Sequence, residues 1–532
     1  MVKKVTSLLH KKNSITGASV ILMVTLTLSN LLGVVRDHFL TQKIPTDILS
    51  VYYAAFRIPD FIFNILILGA ITSAFIPIFT NLISRDKEQE AWEVASSVVN
   101  IAIIFLVIIS FLLAIFMPLI TPLVVPGFSL EKQKMTTDLA RIMLFSPIFF
   151  GLSYIFGGIL NSYKRFLVYS LSPLVYNLTI ILGTLFLADK MGIVGVSLSV
   201  ITGAFLHFAI QLPVALRLGF RFHWKIFWGH WGVKRIGLLM IPRAIALGAN
   251  QIMLLIFTGI ASGLGGYSIA VYNLADNIQT MPMVVFGTSF ATAIFPALSE
   301  SVSKDQFDEF SLQIKKVTKT ILFFMIPMVI LLVMLRAQIV RLILGSGHFG
   351  WEQTVSTANT LALLAISLVF TGLTPLFSRA FYALHNTKTP MIITLVSVVI
   401  SIILSKVLSL KYGVEGLAMG YSVGSILACI IYYLALRRPA KLFNEKDLFV
   451  FLVKLIISGL IMALALEGTK ILTGNFVDMH RSWGVATQAV LAFAIGSAVY
   501  LSITWFFGVE ELKSLKIIIA KITKKEALDE GK

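Results

Sequence analysis

The sequence predicts an all-α polytopic membrane protein of 14 transmembrane helices, arranged as two six-helix lobes in a parallel pseudo-two-fold repeat plus two extra C-terminal helices. Three observations carry this prediction. Of 532 residues, 57% are hydrophobic and only 13% charged, where a soluble domain carries about 25% charged residues. Apolar runs of about 20 residues, long enough to cross a bilayer, follow one another along the chain. Finally, one membrane unit is written twice at a fixed shift.

The repeat is read directly. The stretch from Tyr53, YAAFRIPDFIFNILILGAITSAFIPIFTNLISRD, returns loosely from Tyr272 as YNLADNIQTMPMVVFGTSFATAIFPALSESVSKD. With Pro77 set on Pro296, Tyr53 falls on Tyr272, Ala74 on Ala293, Ser84 on Ser303 and Asp86 on Asp305. Further on, GIVGVSLSVITG echoes as GVEGLAMGYSVG, placing Gly192, Gly195 and Gly203 on Gly413, Gly416 and Gly424. Both echoes need a shift of roughly 220 residues, the mark of a duplicated unit. Transporters are commonly built from two such units.

The candidate spans, in order, are 15–42, 50–84, 91–122, 138–163, 168–189, 192–218, 233–262, 268–300, 312–345, 352–385, 388–410, 413–436, 447–472 and 483–508. The first run, Ile15 to Val35, is too long for a signal-peptide core and no small-x-small cleavage site follows it, so it reads as a retained helix. The repeat shift equals six spans, an even number, so the copies share one orientation. The expected domains are an N-lobe (1–222), an interfacial linker with the C-lobe (223–440), spans 13 and 14 (441–510) and an amphipathic tail (511–532). In the linker, Trp224, Trp228 and Trp231 recur at i, i+4 and i+7 among basic residues. That spacing suits a helix lying in the cytoplasmic interface, or an aromatic belt at the end of span 7. In the tail, Leu512, Leu515, Ile519 and Ile522 share one helical face.

The formal charge of +18 is explained by topology. With the N-terminus inside, the cytoplasmic loops and termini hold roughly 28 Lys and Arg against about 9 opposite, as the positive-inside rule requires. Both termini are then cytoplasmic, and the charge faces anionic lipid headgroups rather than nucleic acid. The lone Cys429 lies in an apolar run and reads as packing. No Cys/His cluster points to a metal, and no Walker sequence to nucleotide hydrolysis. No cofactor and no enzyme activity are expected. Transport would draw on an ion gradient, the membrane potential or the substrate gradient.

Ionisable residues inside spans are costly and are functional candidates by default. On span 2, Tyr53, Arg57, Asp60 and Asn64 stand at i, i+4, i+7 and i+11, one narrow helical face that turns apolar at Leu68. Pro59 and Pro77 should bend this span. A bent helix with such a stripe fits the wall of a water-filled cavity; an Arg57–Asp60 pair capping the outer helix end fits the same residues. Span 8 carries a matching stripe of Asn273, Asp276, Asn277 and Thr280. Asp276 should face the cavity or a partner, and Arg57 is one candidate. Arg36 reads as a cavity cation or as an interface pair with Asp37. Arg243 reads as a ligand-binding group or as a snorkelling cation. His207 reads as packed or pore-facing, and Arg336 and Arg341 as anchors of span 9.

The segments SNLLGVVRD (29–37), AAFRIPD (54–60), GAITSAFIPIF (69–79), VPGF (125–128), NSYKRF (161–166), FPALS (295–299) and NTKTP (386–390) resemble the MurJ family, bacterial lipid II flippases of the MOP exporter superfamily, which also holds the MATE drug exporters. The resemblance runs nearly end to end and includes the 14-span count. It implies a cytoplasmic-membrane protein that moves lipid II, an undecaprenyl pyrophosphate bearing a disaccharide and a pentapeptide, to the outer leaflet for cell-wall synthesis. The headgroup would enter a cationic cavity between lobes that rock, and the lipid tail would lie in a groove leading to spans 13 and 14. Membrane lipids and cell-wall synthesis proteins are the implied partners. Arg36, Arg57 and Asp276 match the family's positions. Asn30, Asn64 and Asn277 stand where well-studied members have arginine, Leu68 where an acidic residue is usual, and Ser50 where an aspartate is expected. Spans 7, 11 and 12 offer no clear buried carboxylate for a sodium site. In this reading Arg36 and Arg57 attract the pyrophosphate, the asparagines supply donors, and Asp276 helps set the conformational equilibrium. The competing expectations are a flippase for another undecaprenyl-linked saccharide, a drug or cation antiporter of the superfamily, and a non-transporting scaffold of the same fold.

Overall fold

The computed structural model describes residues 15–68, 75–440 and 445–512, with side chains at 15–23, 66–68, 239–247 and 445 excepted. The described residues form helices and no strand. In a bilayer this is the expected solution, because a helix satisfies its own backbone polar groups. Among the described residues, eight helices are long and apolar enough to cross a membrane, or up to nine when the bent pair Trp351–Ile366 and Leu368–Ala383 is taken as one span. Two of the eight are double. Phe166–Arg217 has 52 residues and Lys388–Arg437 has 50. The first folds back at Gly192 (φ 57°) and the second at Gly413 (φ 58°), so each holds two candidate spans.

Positive φ is strained for a side chain carrying Cβ but accessible to glycine. Gly192 and Gly413 are repeat-related, and the same correspondence recurs elsewhere. Among the described residues, the non-glycine residues at positive φ are Asp86 (58°), Lys164 (60°), Asp305 (56°) and His385 (57°). Asp305 answers Asp86, and His385 answers Lys164, each at the repeat shift. Two six-residue π-helical turns, Phe63–Leu68 and Met283–Thr288, correspond as well. The duplication is therefore written in backbone conformation and not only in side chains.

Contacts divide the chain into two units. The first comprises Met1–Asn277, Ile343–Gln353 and Ser405–Leu417. Within it, Ile15–Lys43 packs along Phe166–Ala209, and Trp231–Ser262 packs on Glu88–Val124 and on the first π turn. The second comprises Ile278–Leu342, Thr354–Leu404 and Ala418–Lys532. Within it, Phe307–Met334 packs against Leu368–Ala383 and Glu445–Gly474, and the last packs on Ser482–Phe506. Large apolar side chains stand on the outside of both, among them Phe111, Leu119 and Leu123 in the first and Leu460, Leu464 and Val490 in the second. Lipid is the solvent that makes such a surface stable.

Polar side chains fasten the last two spans. Gln338 Nε2 donates to Gln488 Oε1 (2.9 Å), and Gln488 Nε2 donates to the Lys470 carbonyl (2.8 Å). Arg341 donates to the His480 carbonyl and Arg336 to the Val333 carbonyl, as suits anchors of span 9. Cys429 is buried. The tail positions Leu515, Ile519 and Ile522 lie outside the described residues.

Candidate functional site

Span 2 begins as Thr46–Ile62 with Pro59 inside it, and the π turn Phe63–Leu68 follows. Proline removes one backbone donor and crowds the preceding turn, so a wider turn just beyond it relieves the ladder. Asn64 stands in that turn and donates from Nδ2 to the Asp60 carbonyl (2.9 Å). Pro77 stands at the beginning of Ile76–Ser84, directly after the π-helical Phe75. Tyr53, Arg57, Asp60 and Asn64 are all half-buried, while Tyr52, Ala55, Pro59 and Ile62 on the other face are buried. The polar stripe is thus the face left partly open.

The Arg57 guanidinium bridges to two later helices of the same unit. Nε donates to Thr258 Oγ1 on Trp231–Ser262 (3.0 Å), and Nη2 donates to Asn273 Oδ1 on Ser268–Pro282 (2.5 Å). Both partners are neutral. Among the described residues no salt bridge joins Arg57 to Asp60, so the helix-end pairing open in the sequence is not formed. The Tyr53 hydroxyl, four residues before Arg57, is buried without a hydrogen-bond partner.

A second network lies on span 1. Arg36 holds Asp37 through Nη2 (2.9 Å) and Nε (3.1 Å), and Nη1 donates to Asn177 Oδ1 (3.2 Å). The other carboxylate oxygen of Asp37 accepts from Asn277 Nδ2 (2.8 Å). Asn177 in turn donates to the hydroxyl and carbonyl of Ser29. Arg36 is therefore both the pair with Asp37 and part of a longer chain reaching span 8. Ser50 adds a third tie: its Oγ accepts from the Ala270 backbone N–H (3.1 Å), 220 residues away. Asp47, three residues before Ser50, pairs with Lys132 (3.2 Å).

The structure thus gathers Arg36, Arg57, Asn273 and Asn277 into bonds that hold the start of span 8 to spans 1 and 2. Asn30, Asp276 and Thr280 are half-buried on the same helices. The side chains of Arg243 and Leu68 lie outside the described residues. Sequence reasoning missed Asn177 and Thr258. Each is one polar residue among others in its span, with no sequence signal that sets it apart. His207 is packed: Nδ1 lies 2.6 Å from Ser153 Oγ, which also accepts from Gln211.

Of the two readings of the tryptophan segment, the interfacial helix is not formed. Residues 220–230 are not helical, and the next helix starts at Trp231. Ser96 and Asn100 side chains hold the His223 carbonyl, and Ser97 holds the Phe227 N–H. These bonds take the backbone groups a helix would have used. Trp224, Trp228 and Trp231 are nevertheless exposed, at 77%, 64% and 51%.

A helical membrane carrier with cations inside its spans is the class this arrangement defines, and comparison with known proteins narrows it. A family model described as "Lipid II flippase MurJ" matches residues 46–487. The chain belongs to the MurJ lipid II flippase family. A probable lipid II flippase MurJ of Rickettsia prowazekii (strain Madrid E) is 26% identical over 94% of this chain and 98% of its own length. The Lipid II flippase MurJ of Burkholderia cenocepacia is 25% identical over 90% and 95%. Among solved structures, a lipid II flippase MurJ in an inward closed conformation aligns with a TM-score of 0.78 at 26% identity, over 92% of this chain and 98% of that one. An inward-facing multidrug resistance MATE transporter of the MOP superfamily aligns at 0.67 and 16% identity, over 79% and 98%, a likeness of fold.

Proposed function

We propose that this chain flips lipid II from the inner to the outer leaflet of the cytoplasmic membrane by alternating access, with both termini cytoplasmic. The observation that carries the mechanism is Arg57, a half-buried guanidinium whose bonded partners are both neutral. Its charge stays available to an anion, and a guanidinium suits pyrophosphate through paired N–H donors. Arg36 is partly spent on Asp37 and contributes less. Asn30, Asn64 and Asn277 add neutral donors, and Arg243 a further cation on span 7. Tyr53, with its unpartnered hydroxyl, adds one more donor.

Transport follows from exchanging bonds. When span 8 leaves spans 1 and 2, Arg57 gives up Asn273 and Asp37 gives up Asn277. Pyrophosphate in the cavity competes for Arg57, so substrate binds the two states unequally and shifts their populations. The N-lobe (1–222) and C-lobe (223–440) are the moving bodies, and 441–510 guides the lipid tail. The chain breaks no covalent bond of its substrate and needs no cofactor. Cell-wall synthesis proteins receive the flipped lipid. Reconstitution in liposomes with labelled lipid II tests this. Arg57→Ala should lower the flipping rate by about tenfold or more, the scale of a charged hydrogen bond, and Arg57→Lys should recover part of it. Wild-type flipping by Arg57→Ala would contradict this role.

A further inference from the structure

At the start of span 3 lies an open cavity of about 500 Å³ that shares no residue with the Arg57 network. One wall is the first turns of Glu88–Val124, bearing Glu88, Trp92 and Glu93; the other is the strap 219–227, bearing Arg221, Lys225 and Phe227. The strap is fixed rather than loose. Besides its bonds to Ser96, Ser97 and Asn100, it turns at Gly219 (φ 106°), where a Cβ would lie 3.4 Å from Trp92 Nε1. His230, just beyond it, lies 3.6 Å from Glu90. Trp92 itself is stacked on Tyr163.

Two carboxylates and two cations thus share one cavity, yet among the described residues no salt bridge joins them. Lys225 lies over the Phe227 ring at 5.0 Å, and Glu88 accepts only a long bond from the Tyr163 hydroxyl (3.4 Å). Charges of both signs held apart on aromatic walls complement a ligand that carries both signs itself. Phe222, Trp224, Trp228 and Trp231 stand exposed beside the cavity, as side chains do at the headgroup level of a bilayer. A soluble zwitterion would give these aromatic rings no partner; a phospholipid would.

We propose that this cavity binds the headgroup of a membrane aminophospholipid, with its phosphate on Arg221 and Lys225 and its ammonium on Glu88 and Glu93. Native mass spectrometry of the full chain, released from mixed micelles of phosphatidylethanolamine and phosphatidylglycerol, tests it. The wild type should retain phosphatidylethanolamine preferentially. The double variant Glu88→Gln/Glu93→Gln should lose that preference by about fivefold, the scale of one or two exposed charge pairs, while still holding phosphatidylglycerol. Arg221→Gln/Lys225→Gln should retain neither lipid. All four side chains sit at the surface of the fold, so melting temperatures should match the wild type and certify that a lost lipid is a lost site. Equal retention of both lipids by all three proteins would overturn the proposal. So would wild-type preference for phosphatidylglycerol, which would make the strap a simple basic patch.

Discussion

Removing the Arg57 side chain deletes two hydrogen bonds and the one span 2 cation whose bonded partners are neutral. Asn277 supports a sharper test of the ties to span 8. Asn277→Asp turns the donor that meets Asp37 at 2.8 Å into a second carboxylate. Two like charges at that separation repel, and the lost bond alone is worth about 1–3 kcal/mol. Hydrogen exchange across the start of Ser268–Pro282 should therefore quicken in Asn277→Asp, and unchanged exchange would show that this bond does not hold the helix. The candidates themselves were legible in the sequence, because Tyr53, Arg57, Asp60 and Asn64 share a helical period and ionisable groups stand out in apolar runs. Their partners were not. Thr258 and Asn273 lie about 200 residues from Arg57, and the asparagine-for-arginine differences give no hint of which carboxylate Asn277 meets.

At the scale of the element, the two helix reversals depend on glycine. A Cβ at Gly192 or Gly413 meets nothing within 4 Å, so alanine there pays only for positive φ. Each substitution should cost about 1 kcal/mol and lower the melting temperature in detergent slightly. Gly416→Ala should cost more, since its Cβ would lie 2.4 Å from the Leu408 carbonyl carbon and the backbone must move. Equal melting for all three would refute the distinction. For the last two spans, Gln488→Ala strands the buried Gln338 amide and should cost about 1–3 kcal/mol; an unchanged melting temperature would mean that apolar packing alone holds spans 13 and 14. The duplicated unit was readable because glycines and prolines that set backbone shape recur at one shift. The π turns were not, since only Pro59 and Pro282 mark them and proline permits several outcomes. The interfacial-helix reading of 220–230 fails because tryptophans at helical spacing cannot reveal that Ser96, Ser97 and Asn100 will take its backbone groups.

At the scale of the molecule, an apolar exterior places the chain in the bilayer; under the proposed function, the duplicated helical unit would let two bodies move and the internal cations would attract an anionic headgroup. Under the proposed function, fewer arginines than the family pattern leads one to expect would make Arg57 the more decisive charge. The most direct measurement is replacement in the cell. A strain depleted of its own lipid II flippase and expressing this chain at normal membrane levels should show lipid II in the outer leaflet and continued growth. Growth arrest with lipid II confined to the inner leaflet, despite full membrane expression, would contradict lipid II as the cargo.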